Sequence, residues 1–214
     1  ATYSGTGSAQ SITNDGNSNL QPDWMITKNR TGTTDPMVND SSRGVGKYLF
    51  ANRNNSEATS TVDHTSFDSD GFSVSTGESV NDNGDTFVAW QWKANGGTTS
   101  SNTDGYLTST VQANTTAGFS ILTFTTDGST RTVGHGLGVK PDVIWIASRN
   151  VAGGFLVITD VIDGSMDYGV LRSTNAFASI GYNAPTSTVF EYNDNNTNTQ
   201  VAYCFAQKQG YSKF

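Results

Sequence analysis

Asn81-Asp82-Asn83-Gly84-Asp85-Thr86-Phe87-Val88-Ala89-Trp90-Gln91-Trp92 is a polar, glycine-containing turn that runs into an alternating stretch. A period of two places Phe87, Ala89 and Gln91 on one side and Val88, Trp90 and Trp92 on the other, which predicts a β-strand whose tryptophan face is buried. The construction returns as Asn193-Asp194-Asn195-Asn196 followed by Val201-Ala202-Tyr203-Cys204-Phe205, with Val201, Tyr203 and Phe205 where the first copy has Val88, Trp90 and Trp92. A pattern made twice with aromatic side chains on the same alternating positions predicts two related halves.

Outward from these strands the repeat continues. Leu20-Gln21-Pro22-Asp23-Trp24-Met25-Ile26-Thr27-Lys28-Asn29-Arg30 has its counterpart in Lys140-Pro141-Asp142-Val143-Ile144-Trp145-Ile146-Ala147-Ser148-Arg149, with the same spacing from proline to arginine. Proline cannot donate to a ladder, so Pro22 and Pro141 mark strand starts. Tyr168-Gly169-Val170-Leu171 parallels Tyr48-Leu49, and Val189-Phe190-Glu191-Tyr192 parallels Phe72-Ser73-Val74. The halves run from 1–96 and from 105–214, and the Asn-, Gly- and Thr-rich stretch between them reads as a connection. Segment 29–45 reads as polar and irregular, and 65–74 as two strands about an Asp-Gly turn. No helix of ordinary length fits before Thr86. About twelve to fourteen short strands at this spacing predict an all-β fold, an antiparallel sandwich of jelly-roll or lectin-like type forming one module. Trp24, Trp90, Trp92, Trp145, Tyr203 and Phe205 are its expected core.

Composition narrows the function classes. The 12 basic residues are scattered among 19 acidic ones for a formal net charge of -7, which offers no cationic track for a phosphate backbone, so nucleic acid is excluded as a partner. Apolar runs are too short for membrane insertion. Cys204 is the single cysteine, so no intrachain disulfide is available, and its place on a central strand predicts a buried apolar role.

Candidate sites are few. Asp68, Asp70, Asn81, Asn83 and Asp85 set oxygen ligands at alternating positions around glycine, an arrangement calcium uses, although turn chemistry explains the same residues and the terminal Glu of a helix-flanked calcium loop is missing. No other cofactor is expected. His64 and His135 lie far apart without a zinc-ligand partner set, and His135, between Gly134 and Gly136, reads as a turn residue with a hydrogen-bonded ring. Glu57, Glu78 and Glu191 fix no paired-carboxylate spacing, and no serine sits in a nucleophile elbow, so the chain is not expected to be an enzyme. The polar loops Arg30 to Arg43, Asn52 to Ser60 and Tyr182 to Thr188 supply candidate sugar-binding groups in Arg30, Arg43, Asn52, Asn55 and Tyr182; plain solvated loops are the alternative.

Pro22 to Arg30, Ser42-Arg43-Gly44-Val45-Gly46-Lys47-Tyr48-Leu49, Ser66 to Phe72, Gly84 to Ala94, Gly134-His135-Gly136-Leu137-Gly138 and Val201 to Phe205 with Gly210-Tyr211-Ser212-Lys213-Phe214 together resemble a repeated, uncharacterised domain of tailed-phage structural proteins. The domain is found notably in phages of marine cyanobacteria, in fibre, tail and head-appendage proteins. The resemblance covers nearly the whole chain, brings no catalytic residues, and implies a virion, extracellular setting with other virion proteins as partners. It further implies one module of an array and a preference for three-fold symmetry. A disulfide-free β protein of low charge must hide its sheet edges, so a homo-oligomer docking through Thr2 to Thr6 and Gly210 to Phe214 is expected, and a contact with a host is expected to be with surface glycan. A free carbohydrate-binding lectin or glycan-active enzyme on the same sandwich is the alternative.

Overall fold

β-branched and aromatic residues alternating between glycine-bearing turns favour ladders over helices. Among the described residues, 1–210 and 212–214 of the computed structural model, nineteen strands and a single four-residue helical turn result. They fall into two compact units. The first, residues 1–53 with 57–97, holds β1 (Thr2–Ser4), β2 (Gln10–Thr13), β3 (Trp24–Asn29), β4 (Met37–Asp40), β5 (Lys47–Phe50), β6 (Ala58–Thr59), β7 (His64–Asp68), β8 (Gly71–Val74), α1 (Glu78–Asn81) and β9 (Thr86–Trp92). One antiparallel sheet runs β1-β9-β3-β4-β5-β6 and a smaller one β2-β8-β7. Met25, Met37 and Ala89 of the larger sheet meet Ile12, Phe72 and Val74 of the smaller in one buried cluster, which makes this unit a sandwich.

The second unit, residues 54–56 with 98–214, holds β10 (Ser100–Asn102), β11 (Ser109–Asn114), β12 (Phe119–Thr125), β13 (Arg131–Gly134), β14 (Val143–Ser148), β15 (Phe155–Thr159), β16 (Asp167–Val170), β17 (Ala178–Ser179), β18 (Val189–Tyr192) and β19 (Thr199–Phe205). Eight strands form the sheet β10-β11-β12-β19-β14-β15-β16-β17, and β13 pairs with β18. Leu122, Ile144, Ile158 and Cys204 pack against Val133 and Phe190 to form its core. The fold is the all-β antiparallel sandwich that the alternation predicts. Among the described residues no helix is long and apolar enough to cross a membrane.

Without β10 and β11, the larger sheet of the second unit reads β12-β19-β14-β15-β16-β17, element for element the order of β1-β9-β3-β4-β5-β6. The registers coincide as well. Trp24 faces Trp92 and Ile26 faces Trp90, where Val143 faces Phe205 and Trp145 faces Tyr203. The repeated Pro-Asp has a physical role in both copies. The Asp23 amide donates to the Trp92 carbonyl at 2.8 Å, and that of Asp142 to Phe205 at 2.8 Å. Each carboxylate then reaches past the end of the partner strand, Asp23 Oδ2 accepting from the Ala94 amide at 2.7 Å and Asp142 Oδ2 from Gln207 at 2.6 Å. The two arginines that end the motif donate their backbone amides to Thr86 and Thr199 at 2.7 and 2.8 Å.

Several sequence expectations need correction. Met37 to Asp40, inside the segment read as irregular, is a fully buried strand between β3 and β5. Ser100 to Asn102, inside the stretch read as a connection, is the outer strand of the eight-stranded sheet, and the unit boundary falls between Gly97 and Thr98. Of the expected core aromatics, Trp24 is 1% and Tyr203 0% exposed, while Trp92, Trp145 and Phe205 are part-buried. Trp90 is 49% exposed and is not core. The buried face of β9 carries Phe87 and Ala89 instead. Tyr203 has Ile121 and Trp145 as cross-strand neighbours in mid-sheet. Beside β9, Thr2 faces Val88, the Ala1 carbonyl accepts from the Ala89 amide at 2.9 Å, and the Ala1 amino group donates to the Ala89 carbonyl at 3.0 Å. Tyr211 lies outside the described residues, and with it part of the expected docking segment Gly210 to Phe214.

Candidate functional site

A groove of about 600 Å³ lies at the end of β9, lined by Ala1, Ala89, Trp90, Gln91 and Lys93 and by the loop Asn14 to Leu20 that leaves β2. No ring of the described residues stacks on the Trp90 indole. Across the groove two carboxamides form a reciprocal pair: Gln91 Nε2 donates to Asn14 Oδ1 at 2.8 Å, and Asn14 Nδ2 donates to Gln91 Oε1 at 3.2 Å.

The loop is pinned where it returns to the fold. Asn14 Nδ2 also donates to the Leu20 carbonyl at 3.0 Å, the Leu20 amide donates to Asp70 Oδ1 at 3.1 Å, and the Gly71 amide donates back to the Leu20 carbonyl at 3.0 Å. Gly71 has φ +110°, and a Cβ there would stand 1.9 Å from the Ile12 carbonyl oxygen, so the β7–β8 turn holding the loop requires glycine. An exposed indole beside fixed amides offers a flat apolar surface with hydrogen-bonding groups in set positions. Sequence reasoning reads Asn14 to Asn19 only as a turn.

The sugar-binding residues expected from the loops do not form one site. Arg30 is exposed on the first unit. Arg43 is buried, its side chain 0% exposed, with Nε bonded to Asp40, Nη1 3.2 Å from Glu57 Oε2 and Nη2 3.1 Å from the Val38 carbonyl; it holds β4 and is no ligand group. Asn52 donates to Asp35 at 2.7 Å. Asn55 and Tyr182 belong to the second unit; Asn55 is exposed, and the Tyr182 hydroxyl donates to the Asn193 carbonyl at 3.3 Å and accepts from its amide at 3.1 Å.

The residues expected to hold a cation are occupied in the frame, Asn83 excepted, which is exposed. Asp68 accepts from Ser66 at 2.6 Å and Ser73 at 2.7 Å, and Asp70 anchors the loop. Buried Asn81 accepts from the Thr6 amide at 3.0 Å and Gln10 at 2.6 Å and donates to the Ser8 and Ser75 carbonyls. Asp85 accepts from Asn29 at 2.6 Å and Thr31 at 2.9 Å. Among the described residues no three His, Cys, Asp or Glu side chains gather into a metal shell.

His64 is buried with Nε2 3.0 Å from the Thr27 hydroxyl, and burial pushes its pKa down to about 3. His135 is buried too, Nδ1 accepting from the Leu137 amide at 3.2 Å and Nε2 3.3 Å from the Thr186 carbonyl; burial lowers its pKa against the opposing pull of that carbonyl. Cys204 is buried, and burial raises its thiol pKa. None of the three lines the groove.

No curated protein and no solved structure matches the chain. Over its full length, residues 1–214, the sequence matches the profile of a family described as a domain of unknown function (DUF7483), and the chain belongs to that family.

Proposed function

We propose that the chain is a non-enzymatic structural module of a tailed-phage virion, in a fibre, tail or head appendage, and that it contacts glycan on the host surface. The observation that carries the non-enzymatic part is the employment of five of the 19 acidic side chains as structural acceptors. Asp23, Asp40, Asp68, Asp85 and Asp142 all accept hydrogen bonds that hold turns and strands together, which leaves them no general acid or base work. A sheet order built twice on disulfide-free sandwiches suits a building block. The resemblance to phage appendage domains supplies the virion setting and the expectation of a homo-oligomer, with three copies as the preferred number.

The test combines detection of the chain in purified phage particles, sedimentation with and without EDTA, and a glycan array that includes bacterial surface polysaccharides. Presence in particles, a stable oligomer and array binding support the proposal. Absence from particles together with array binding would favour a free lectin. Turnover of a bound polysaccharide would overturn the non-enzymatic reading.

A further inference from the structure

Inside the second unit a cleft of about 240 Å³ lies between Ile146, Leu156 and Val170 on the inward face of the larger sheet, Ser148 at the end of β14, and the loop Asn193 to Asn195 that leaves β18. Matching the registers of the two units shows smaller side chains here. Leu156 faces Ile146 and Val170 where Met37 faces Thr27 and Phe50, so a leucine and a valine stand in place of a methionine and a phenylalanine. Met37 and Phe50 pack in the core of the first unit. On the next strand Gln200 faces Ser148 where Phe87 faces Asn29. We propose that this cleft binds one amino-sugar unit of a glycan, its ammonium on Asp194 Oδ1 and its ring against Leu156 and Val170. This deepens the glycan part of the reading above and rests on it.

Gln200 is 0% exposed and its Oε1 has no hydrogen-bond partner among the described residues, a desolvation cost that Phe87 does not carry. What the buried amide does is hold a carboxylate at the cleft. Gln200 Nε2 donates to Asp194 Oδ2 at 2.6 Å, and Asn198 Nδ2 donates to the same oxygen at 2.8 Å. Asp194 Oδ1 remains as an acceptor, and Asp194 pairs with no Lys or Arg among the described residues. The loop is set before a ligand arrives, the Asn193 amide donating to the Tyr182 hydroxyl at 3.1 Å and the Asn195 amide to Asn193 Oδ1 at 2.7 Å, which spares ordering cost. Asp194 is the charged residue of the lining, so the cleft favours a cation over an anion. One carboxylate suits an ammonium better than a metal ion, which takes several oxygen ligands. The Ser148 hydroxyl, with only long contacts of 3.4 and 3.5 Å to Asn150 and Thr199, and the exposed Asn195 are left for ring hydroxyls. A volume under the roughly 300–1,000 Å³ of larger ligand pockets fits a single ring.

Isothermal titration of the 214-residue chain with a β-linked glucosamine tetramer, its N-acetylated form and cellotetraose tests the proposal, because the three differ only in the group on one ring carbon. One site per chain is expected for the glucosamine tetramer, with affinity about tenfold or more above that of the other two. Asp194→Asn, which keeps the shape and removes the charge, should lose that margin. Val170→Phe restores the side chain of the first unit and should block the cleft. It leaves the charge of the chain unchanged, so it separates this site from general attraction of a cationic ligand to an acidic protein. Near-UV circular dichroism confirms that each variant is folded, and Gln200→Leu gives a further readout by freeing Asp194. Binding that survives Asp194→Asn and Val170→Phe unchanged overturns this site and leaves the glycan reading standing. Equal binding of the three tetramers, lost in Val170→Phe, overturns the ammonium contact. Cyclohexylamine binding as tightly as glucosamine overturns the sugar assignment. Silence of the three tetramers overturns the site alone when the array shows binding, and the site and the glycan reading together when the array is silent.

Discussion

The repeated Pro-Asp predicts unequal costs for the same substitution in the two units. Asp23 is 0% exposed and accepts four hydrogen bonds, from the Ser41 hydroxyl at 2.7 Å and from the amides of Ala94, Gly96 and Gly97 at 2.7, 2.9 and 2.8 Å. Asp142 is part-buried, and its carboxylate accepts from Gln207 at 2.6 Å. Removing a buried acceptor costs about 1–1.5 kcal/mol for each backbone donor it served. Asp23→Ala, with three such donors, should therefore cost about 3–5 kcal/mol, and Asp142→Ala about 1–1.5 kcal/mol. Asp23→Asn keeps a carbonyl acceptor and should fall between wild type and Asp23→Ala. Guanidinium unfolding followed by tryptophan fluorescence reads the difference as a shift in midpoint. Equal losses in the two alanine variants, or a loss below about 1 kcal/mol for Asp23→Ala, would refute the clamp.

Arg43→Ala should destabilise by about 3–5 kcal/mol because it leaves the buried Asp40 charge without its guanidinium, while Asp40→Asn combined with Arg43→Met should recover much of that, as read by the same unfolding assay. Trp24→Ala should cost about 3–5 kcal/mol, whereas Trp90→Ala should stay within about 1 kcal/mol of wild type. Acid should weaken the fold through His64: its folded pKa of about 3 lies below the ordinary value of 6.5, so the unfolded chain takes up the proton first. The stabilisation is fully present above pH 6.5 and is lost as pH falls toward 3, amounting to about 2 kcal/mol at pH 5. Stability measured between pH 7 and pH 5 in wild type and in His64→Gln checks this, the variant showing the flatter dependence.

The fold was legible because its two strongest signals are local. Alternation marks the strands, and Pro-Asp followed by an aliphatic run marks the repeat. Met37-Val38-Asn39-Asp40 escaped because half of it is polar; Asn39 and Asp40 are buried with their partners supplied by the Val45 and Lys47 carbonyls and by Arg43. The inverted faces of the strand carrying Trp90 and Trp92 have a similar cause. Periodicity separates two faces, but which one is buried depends on what packs across the sheet, and here Ala89 meets Ile12, Phe72 and Val74 of the smaller sheet. The groove depends on a contact between Asn14 and Gln91, 77 positions apart, which no local pattern encodes. Asp68, Asp70 and Asp85 follow a cation-loop pattern because Asp accepts from nearby donors in turns, and here those donors are serine, threonine, asparagine and backbone groups.

A glycan array that includes bacterial surface polysaccharides gives the most direct test of the proposal that the chain contacts host glycan without acting on it. Saturable binding with no turnover of the bound polysaccharide is the result the account predicts. Silence across the array, or turnover, would contradict it.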